Sequence, residues 1–374
     1  MISKNNKNIE EAKRIILKIG SALLVNEDSG KINYSWFESL CEDIKFLQEN
    51  GKEVIIVSSG AIALGANKMK LSSLARLEDS QAAAAIGQVQ LAHLYQDRLA
   101  NKGLVVAQVL LTIDDSNNRR RYLNATNTLN ALVKKDVIPV INENDTVATQ
   151  EIRYGDNDRL AARVAQMISA DCLILLSDVN GLYTSDPGKN DNAKLINEVN
   201  DLNQDYFDMA SGPGTSHSSG GMITKLDAAR LAMSAGCKML IASGLENNPI
   251  VSSIESNKGT WFIPSLDPKA ARKQWILGSL EIQGSILIDS GAKKALDLGS
   301  SLLPVGVIGV EGEFGKGDAV KIKDHKGNYI GCGLIAYDSI DANKIMGCHS
   351  NDIKDKLDYL GGNEMIHRND LVLA

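Results

Sequence analysis

Two lysines define the chemistry open to this chain. Lys18 lies inside the apolar run IILKIG, just ahead of Gly20 and Ser21. An ammonium there needs an anionic partner, because an unpaired buried charge is costly, and the partner is either a protein carboxylate or a ligand phosphate. Lys225 closes the stretch SGPGTSHSSGGMITK, which reads as a glycine- and serine-rich loop opening a helix, with Lys225 in the first helical turn. Backbone donors at a helix start together with a lysine suit a phosphate, although a surface loop has the same composition. The spacing is not the G-x-x-x-x-G-K-[ST] of a P-loop. In SSGAIALG, residues 58–65, small residues would also let backbone N–H groups approach an anion, as they would in any tight strand-to-helix turn.

Acidic residues form the second constellation. INENDTV follows a strand-like run and carries Asp145, while GDNDRLAARVA opens a helix with Asp156, Asn157 and Asp158. These carboxylates could hold a substrate ammonium, coordinate Mg²⁺, or cap the helix. A cap needs one acidic residue and not a series of them. Farther on, LLSDVNGLYTSDP ends a strand at Ser177 and Asp178. In open parallel sheets ligands bind outside the carboxyl ends of strands, so this edge suits a nucleotide, though it could be a simple turn. The five histidines, His93, His217, His325, His349 and His367, show no metal-ligand spacing, and neither G-x-S-x-G nor H-E-x-x-H occurs.

The elements that must position these residues follow from periodicity. Short β-branched runs (IILKIG, EVIIVSS, LVVAQVLL, VIPVIN, CLILLSD, CKMLIAS) alternate with segments of helical period. This is an α/β signature, and the nearly continuous apolar runs predict a mostly parallel sheet sandwiched between helices. Phe37, Leu40, Cys41, Ile44 and Leu47 mark one helix face, with Gly51 as its stop, and Met222, Leu226, Ala229 and Met233 mark another.

After Pro264 the pattern changes. Residues 266–279 are polar and proline-containing and read as a linker, and glycine-punctuated short strands follow it, with one helical stretch around residues 291–298. A small β-rich domain over residues 280–360 is predicted beside a larger one over residues 10–265. With 44% apolar and 23% charged residues the chain is globular, and a formal charge of -6 speaks against a general nucleic-acid or membrane-surface binder. The five cysteines are scattered, never as C-x-x-C, and read as reduced core residues. No run is long enough to span a membrane and the N-terminal residues lack a signal-peptide core, so the cytoplasm is expected.

Taken in order, LKIGS, SSGAIALG, INEND, GDNDRLAA, LLSDVNGLY and SGGMITK resemble the amino acid kinase family, and within it the kinases that act on glutamate. The tail resembles a PUA domain. The resemblance implies ATP-dependent phosphorylation of the glutamate side chain with Mg²⁺ as cofactor, at the start of proline synthesis and under feedback inhibition by proline. It assigns ATP to Lys18, to Ser177 and Asp178, and to Ser219, Gly220, Gly221, Met222, Ile223, Thr224 and Lys225. Glutamate falls to Ser59, Asp145, Asn157 and Asp156. Lys18 and Lys225 would neutralise the transferred phosphoryl group and Asp158 would hold both lysines in place. Ser177 and Ser219 stand where threonine is usual, and each keeps a hydroxyl. A homo-oligomer, dimer or tetramer, and contact with the downstream glutamyl phosphate reductase are further implications.

Three other readings compete: another acid kinase (aspartokinase or N-acetylglutamate kinase), an RNA-binding PUA protein, and a catalytically silent regulator. From residue 267 onward there are 13 Lys plus Arg against 15 Asp plus Glu, a net of -2, which is the wrong sign for phosphate-driven RNA binding. The retained lysines and aspartates speak against a silent protein.

Overall fold

The computed structural model describes residues 4–26, 30–71, 76–148, 156–210, 218–256, 258–278, 281–357, 359 and 362–373. The chain divides into two compact units, one of Met1–Ser116 with Ala125–Pro268, the other of Asn117–Asn124 with Lys269–Ala374.

The first unit holds eight strands: β1 (Arg14–Ile19), β2 (Glu53–Ser58), β3 (Val105–Leu111), β4 (Val137–Glu143), β5 (Cys172–Ser177), β6 (Glu198–Val199), β7 (Lys238–Ser243) and β8 (Thr260–Phe262). They form one sheet in the order β3-β4-β2-β1-β5-β7-β8-β6, parallel throughout except for the β7–β8 pair. The burial of β1, β2 and β5 along nearly their whole length is what an internal parallel strand requires, and it explains the unbroken apolar runs.

Helices accompany the strands: α1 (Lys4–Glu11), α2 (Ser21–Leu24), α3 (Tyr34–Glu49), α4 (Ala61–Met69), α5 (Leu77–Ala100), α6 (Ile113–Asn117), α7 (Arg119–Val133), α8 (Asp156–Ile168), α9 (Gln204–Ala210), α10 (Ser218–Ser234) and α11 (Pro249–Ser256). The predicted stripe of α3 is buried in full, from Phe37 through Leu40, Cys41 and Ile44 to Leu47, and the Asn33 side chain caps its start by accepting from the Trp36 N–H. On α10 the fully buried positions are Leu226, Ala228, Ala229 and Ala232, so Met222 and Met233 lie at the margins of its face.

Two differences from the sequence reading matter. Helix α10 begins at Ser218, so Lys225 stands eight residues in, in the helix body and not in its first turn. Residues 268–278, read as linker, form helix α12 (Pro268–Gly278). Proline at a first helical position, followed by Ala, Arg and Lys, is a regular helix start.

The second unit carries β9 (Ile282–Ile288), β10 (Val307–Gly312), β11 (Ala319–Asp324), β12 (Tyr329–Leu334) and β13 (Leu371–Leu373), with helices α13 (Ser290–Asp297), α14 (Ser339–Ile345) and α15 (Ile353–Lys356). Its five-stranded sheet has the order β10-β9-β11-β12-β13 and is antiparallel except for the β9–β11 pair. Ile286, Ile322, Ile335, Ile345 and Leu371 centre its core. Segment 117–124 belongs to this unit by packing: Gly317 lies against Arg119 and Leu123, and Lys316 donates to the Asn124 amide oxygen at 3.1 Å.

Candidate active site

The sheet register brings the carboxyl ends of the central strands together. Lys18 on β1 lies beside Val57 of β2 and Leu175 of β5, so Gly20, Ser59 and Asp178 follow the ends of three adjacent strands. The chain leaves β2 through Gly60, whose φ of 108° lies in the left-handed region that favours glycine, and enters α4 directly.

Lys18 and Lys225 meet at one carboxylate. The Lys18 Nζ lies 2.5 Å from Oδ1 of Asp158 and the Lys225 Nζ lies 3.2 Å from its Oδ2. All three side chains are buried, with Asp158 only 1% exposed. Thr224 adds a hydroxyl 3.3 Å from the same Oδ2 and also donates to the Gly221 carbonyl. Burial alone would raise the Asp158 carboxyl pKa, and the two ammoniums, Lys18 first and then Lys225, bring it below the usual carboxylate value. Two cations around one anion leave a net charge of +1 in a nearly dry site, an arrangement suited to receiving an anion. On the outer side, Arg159 pairs with Asp227 at 2.9 Å and ties α8 to α10 again.

One residue earlier on α8, Asn157 organises a polar cluster. Its Nδ2 donates to the Ser59 hydroxyl at 2.8 Å, to Oδ1 of Asn142 at 3.1 Å and, at 3.4 Å, to the Ser58 carbonyl. Its Oδ1 is buried and has no hydrogen-bond partner among the described residues. Asn142, 2% exposed, accepts from the Glu143 N–H at 2.9 Å and donates to Oε1 of Gln88 at 2.7 Å. Behind Ser59, the fully buried Tyr95 donates to the Ser58 hydroxyl at 3.0 Å and packs edge-on against Phe37, and burial drives its phenol pKa up.

Of the residues singled out in the sequence, Lys18, Asp158, Lys225 and Thr224 form one cluster, and Ser59 with Asn157 forms the next along α8. The Ser177 hydroxyl, 5% exposed, donates to the Asp178 carboxylate at 2.9 Å at the end of β5. Asp145 is half-buried in the turn after β4. Gly221, Met222 and Ile223 are half-buried on α10. Ser219 and Gly220 lie in the first turn of α10 and Asp156 begins α8, but their side-chain environments lie outside the described residues, as does His217 entirely.

Sequence reasoning missed Asn142, Gln88 and Tyr95. Asn142 stands within the quoted INEND motif, whereas Gln88 and Tyr95 sit in a helix of alanines, glutamines and leucines that carries no outward sign of chemistry.

Helices α4 and α5 cross with their backbones in contact: a Cβ on Gly87 would sit 1.8 Å from the Ala61 carbonyl oxygen, and one on Gly65 would sit 1.8 Å from that of Ala83. Only glycine permits this approach, and it pins α5 to the helix that starts beside Ser59.

Residues 13–243 match the amino acid kinase family model, and residues 284–357 match that of the PUA domain. The chain is 52% identical over 362 residues to a glutamate 5-kinase of Paramagnetospirillum magneticum, covering 97% of this chain and 98% of that one. It is 50% identical to a glutamate 5-kinase of Agrobacterium fabrum, covering 100% of this chain and 96% of the relative. A solved carbamate kinase from Giardia lamblia shares the fold with a TM-score of 0.50 at 15% identity, covering 68% of this chain and all of that one. The ordered motifs, the mostly parallel sheet and the family match over residues 13–243 agree: the chain belongs to the amino acid kinase family.

Proposed function

We propose that this protein transfers the γ-phosphate of ATP to the side-chain carboxylate of glutamate, giving γ-glutamyl phosphate, the first step of proline synthesis. The observation that carries the reading is the buried pairing of Lys18 and Lys225 on Asp158, one residue along α8 from the Ser59–Asn157 cluster.

The reaction needs no strong base, because the attacking carboxylate is already ionised at neutral pH. It needs alignment and charge neutralisation. As the carboxylate oxygen bonds to the γ-phosphorus, the bond to the bridging oxygen breaks and ADP leaves with the electron pair. Lys18 and Lys225 approach from β1 and α10 and stabilise the charge spread over the transferred oxygens. Asp158 keeps the two ammoniums in place between turnovers. The Gly221–Lys225 segment takes the phosphates, with Ser219 and Gly220 preceding it, and the Ser177–Asp178 edge takes the rest of the nucleotide.

Ser59 and the backbone at Gly60 suit the glutamate α-carboxylate, and Asp145 and Asp156 suit its ammonium. Asn157 supports the same pose: its Nδ2 is turned to Ser59, leaving the unpartnered Oδ1 as an acceptor for a ligand N–H. An acetylated amine would forfeit its charge against the aspartates.

Asp158 is already engaged by both lysines, and no three His, Cys, Asp or Glu side chains converge on a metal position among the described residues. This donor set fits Mg²⁺ carried on the nucleotide phosphates, with the Asp178 carboxylate nearby, and not an all-protein cage. Bound there, Mg²⁺ would offset phosphate charge.

Proline carries the same carboxylate and amine groups as the glutamate backbone, so feedback inhibition through the same residues belongs to this reading. So do a homo-oligomeric assembly, contact with glutamyl phosphate reductase, and a cytoplasmic setting. No described helix is long and apolar enough to cross a membrane.

An ATP-dependent hydroxamate assay with glutamate, aspartate and N-acetylglutamate tests the proposal. Product with glutamate at far higher kcat/KM than with the other two is the expected result, and preference for either alternative acceptor overturns the reading.

A further inference from the structure

Gln88 does not line the cluster around Ser59, yet it is one hydrogen bond from it. Three amides stand in series: Gln88 Oε1 accepts from Asn142 Nδ2 at 2.7 Å, and Asn142 Oδ1 accepts from Asn157 Nδ2 at 3.1 Å, which also donates to the Ser59 hydroxyl at 2.8 Å. The order of donors and acceptors along this series is directional. Asn142 has its oxygen committed to the Glu143 N–H and to Asn157, so its Nδ2 must find an acceptor elsewhere in a position only 2% exposed. Gln88 supplies that acceptor.

Without it, a buried donor is left unsatisfied, and the cheapest relief is for the Asn142 amide to swing away. That swing removes one of the acceptors that orient Asn157. Asn157 is then free to turn its Nδ2 outward, exchanging the acceptor it presents to the ligand for a donor. The residue before Gln88 makes it a firm anchor, since Gly87 locks α5 against the backbone of α4.

We propose that Gln88 is a positioning residue for glutamate, acting through Asn142 to fix the amide orientation of Asn157. The inference rests on the assignment of the Ser59–Asn157 cluster to glutamate, and a Ser59→Ala variant assayed in parallel separates the two.

The full-length protein serves as the background. Gln88→Leu should raise the glutamate KM about tenfold, the loss of one buried hydrogen bond, while the ATP KM stays within about twofold. Gln88→Glu keeps an acceptor at the same reach, and a carboxylate can only accept, so it should restore the glutamate KM to within about threefold of wild type. Loss of packing alone would not distinguish these variants by donor and acceptor character. Gln88→Met, which keeps the length and helix preference of the side chain, carries the same expectation as Gln88→Leu should the branched variant fold poorly. If Ser59→Ala raises the glutamate KM and neither apolar variant does, the role of Gln88 is refuted and the substrate assignment stands. If Gln88→Glu is as impaired as the apolar variants, the amide relay is refuted as well. If Ser59→Ala leaves the glutamate KM unchanged, the substrate assignment itself falls, and this inference with it.

Discussion

Replacing Asp158 by Asn removes the only charge that separates two buried ammonium groups in the ligand-free protein. The nitrogens lie 2.5 and 3.2 Å from opposite oxygens of the one carboxylate. At a separation on the order of 5 Å and an effective dielectric near 20, two unit cations repel by about 3 kcal/mol. Removing one partner from a buried ion pair typically costs about 3–5 kcal/mol, so the two estimates agree in scale. For a unit of this size each kcal/mol shifts the melting temperature by about 2–4 °C, which places the ligand-free variant on the order of 10 °C below wild type. An ATP analogue restores negative charge between the lysines, so it should raise the Tm of Asp158→Asn by more than it raises that of wild type. The pH dependence has a defined sign. Because the folded protein holds the Asp158 carboxyl below the usual carboxylate value, its contribution is complete above that value and is lost as pH falls toward its own depressed pKa. The gap between the two proteins should therefore narrow on acidification. Scanning calorimetry with and without the analogue decides the matter: a ligand-free variant melting within about 2 °C of wild type at neutral pH would refute the view that the carboxylate holds two repelling cations together.

Lys225→Met should leave the melting transition intact but lower kcat by about 100-fold or more, as the loss of one donor to a developing charge does; steady-state kinetics retaining over half the wild-type turnover would remove Lys225 from the mechanism. Asp145→Asn should raise the glutamate KM far more than the ATP KM and weaken proline inhibition in parallel, and equal effects on both substrates would point to a structural role. Ending the chain at Lys269 strips segment 117–124 of the residues it packs with and uncovers Tyr122 and Leu123, each 6% exposed in the intact chain. The fragment should keep the phosphate and carboxylate motifs yet lose about 3 kcal/mol of stability, and a denaturant midpoint unchanged from the full chain would refute the coupling.

The strands were legible in the sequence because an internal parallel strand needs apolar residues on both faces, and the α3 stripe because one helix face was buried. Lys18 announced itself as a charge inside such a strand. What it pairs with was not deducible from spacing: Asp158 is 140 residues away, and only the ordered motifs and their family resemblance suggested the link. The early start of α10 was hidden by serine and glycine, which favour loops in isolation and yield to packing in the folded chain. In α12 the opposite happened, since Pro268 was taken as a break where it is a first-turn residue. Gln88 and segment 117–124 act only through partners distant in sequence, and nothing local marks them.

The central place of β1 has a consequence for synthesis. One of its edges is closed early, by β2 through the Lys18–Val57 register, 39 residues on. The other waits for β5, through the Lys18–Leu175 register, 157 residues on. At ribosomal rates of about 5–20 residues per second this strand edge remains unpaired for roughly 8–30 seconds. Lys18 spends most of that interval without Asp158. The nascent chain therefore carries an open apolar edge and an uncompensated cation together, and both are relieved within a few residues of each other when α8 and β5 arrive. Completion of the sheet and assembly of the phosphate site are thus one late event, and a chain arrested before β5 has neither.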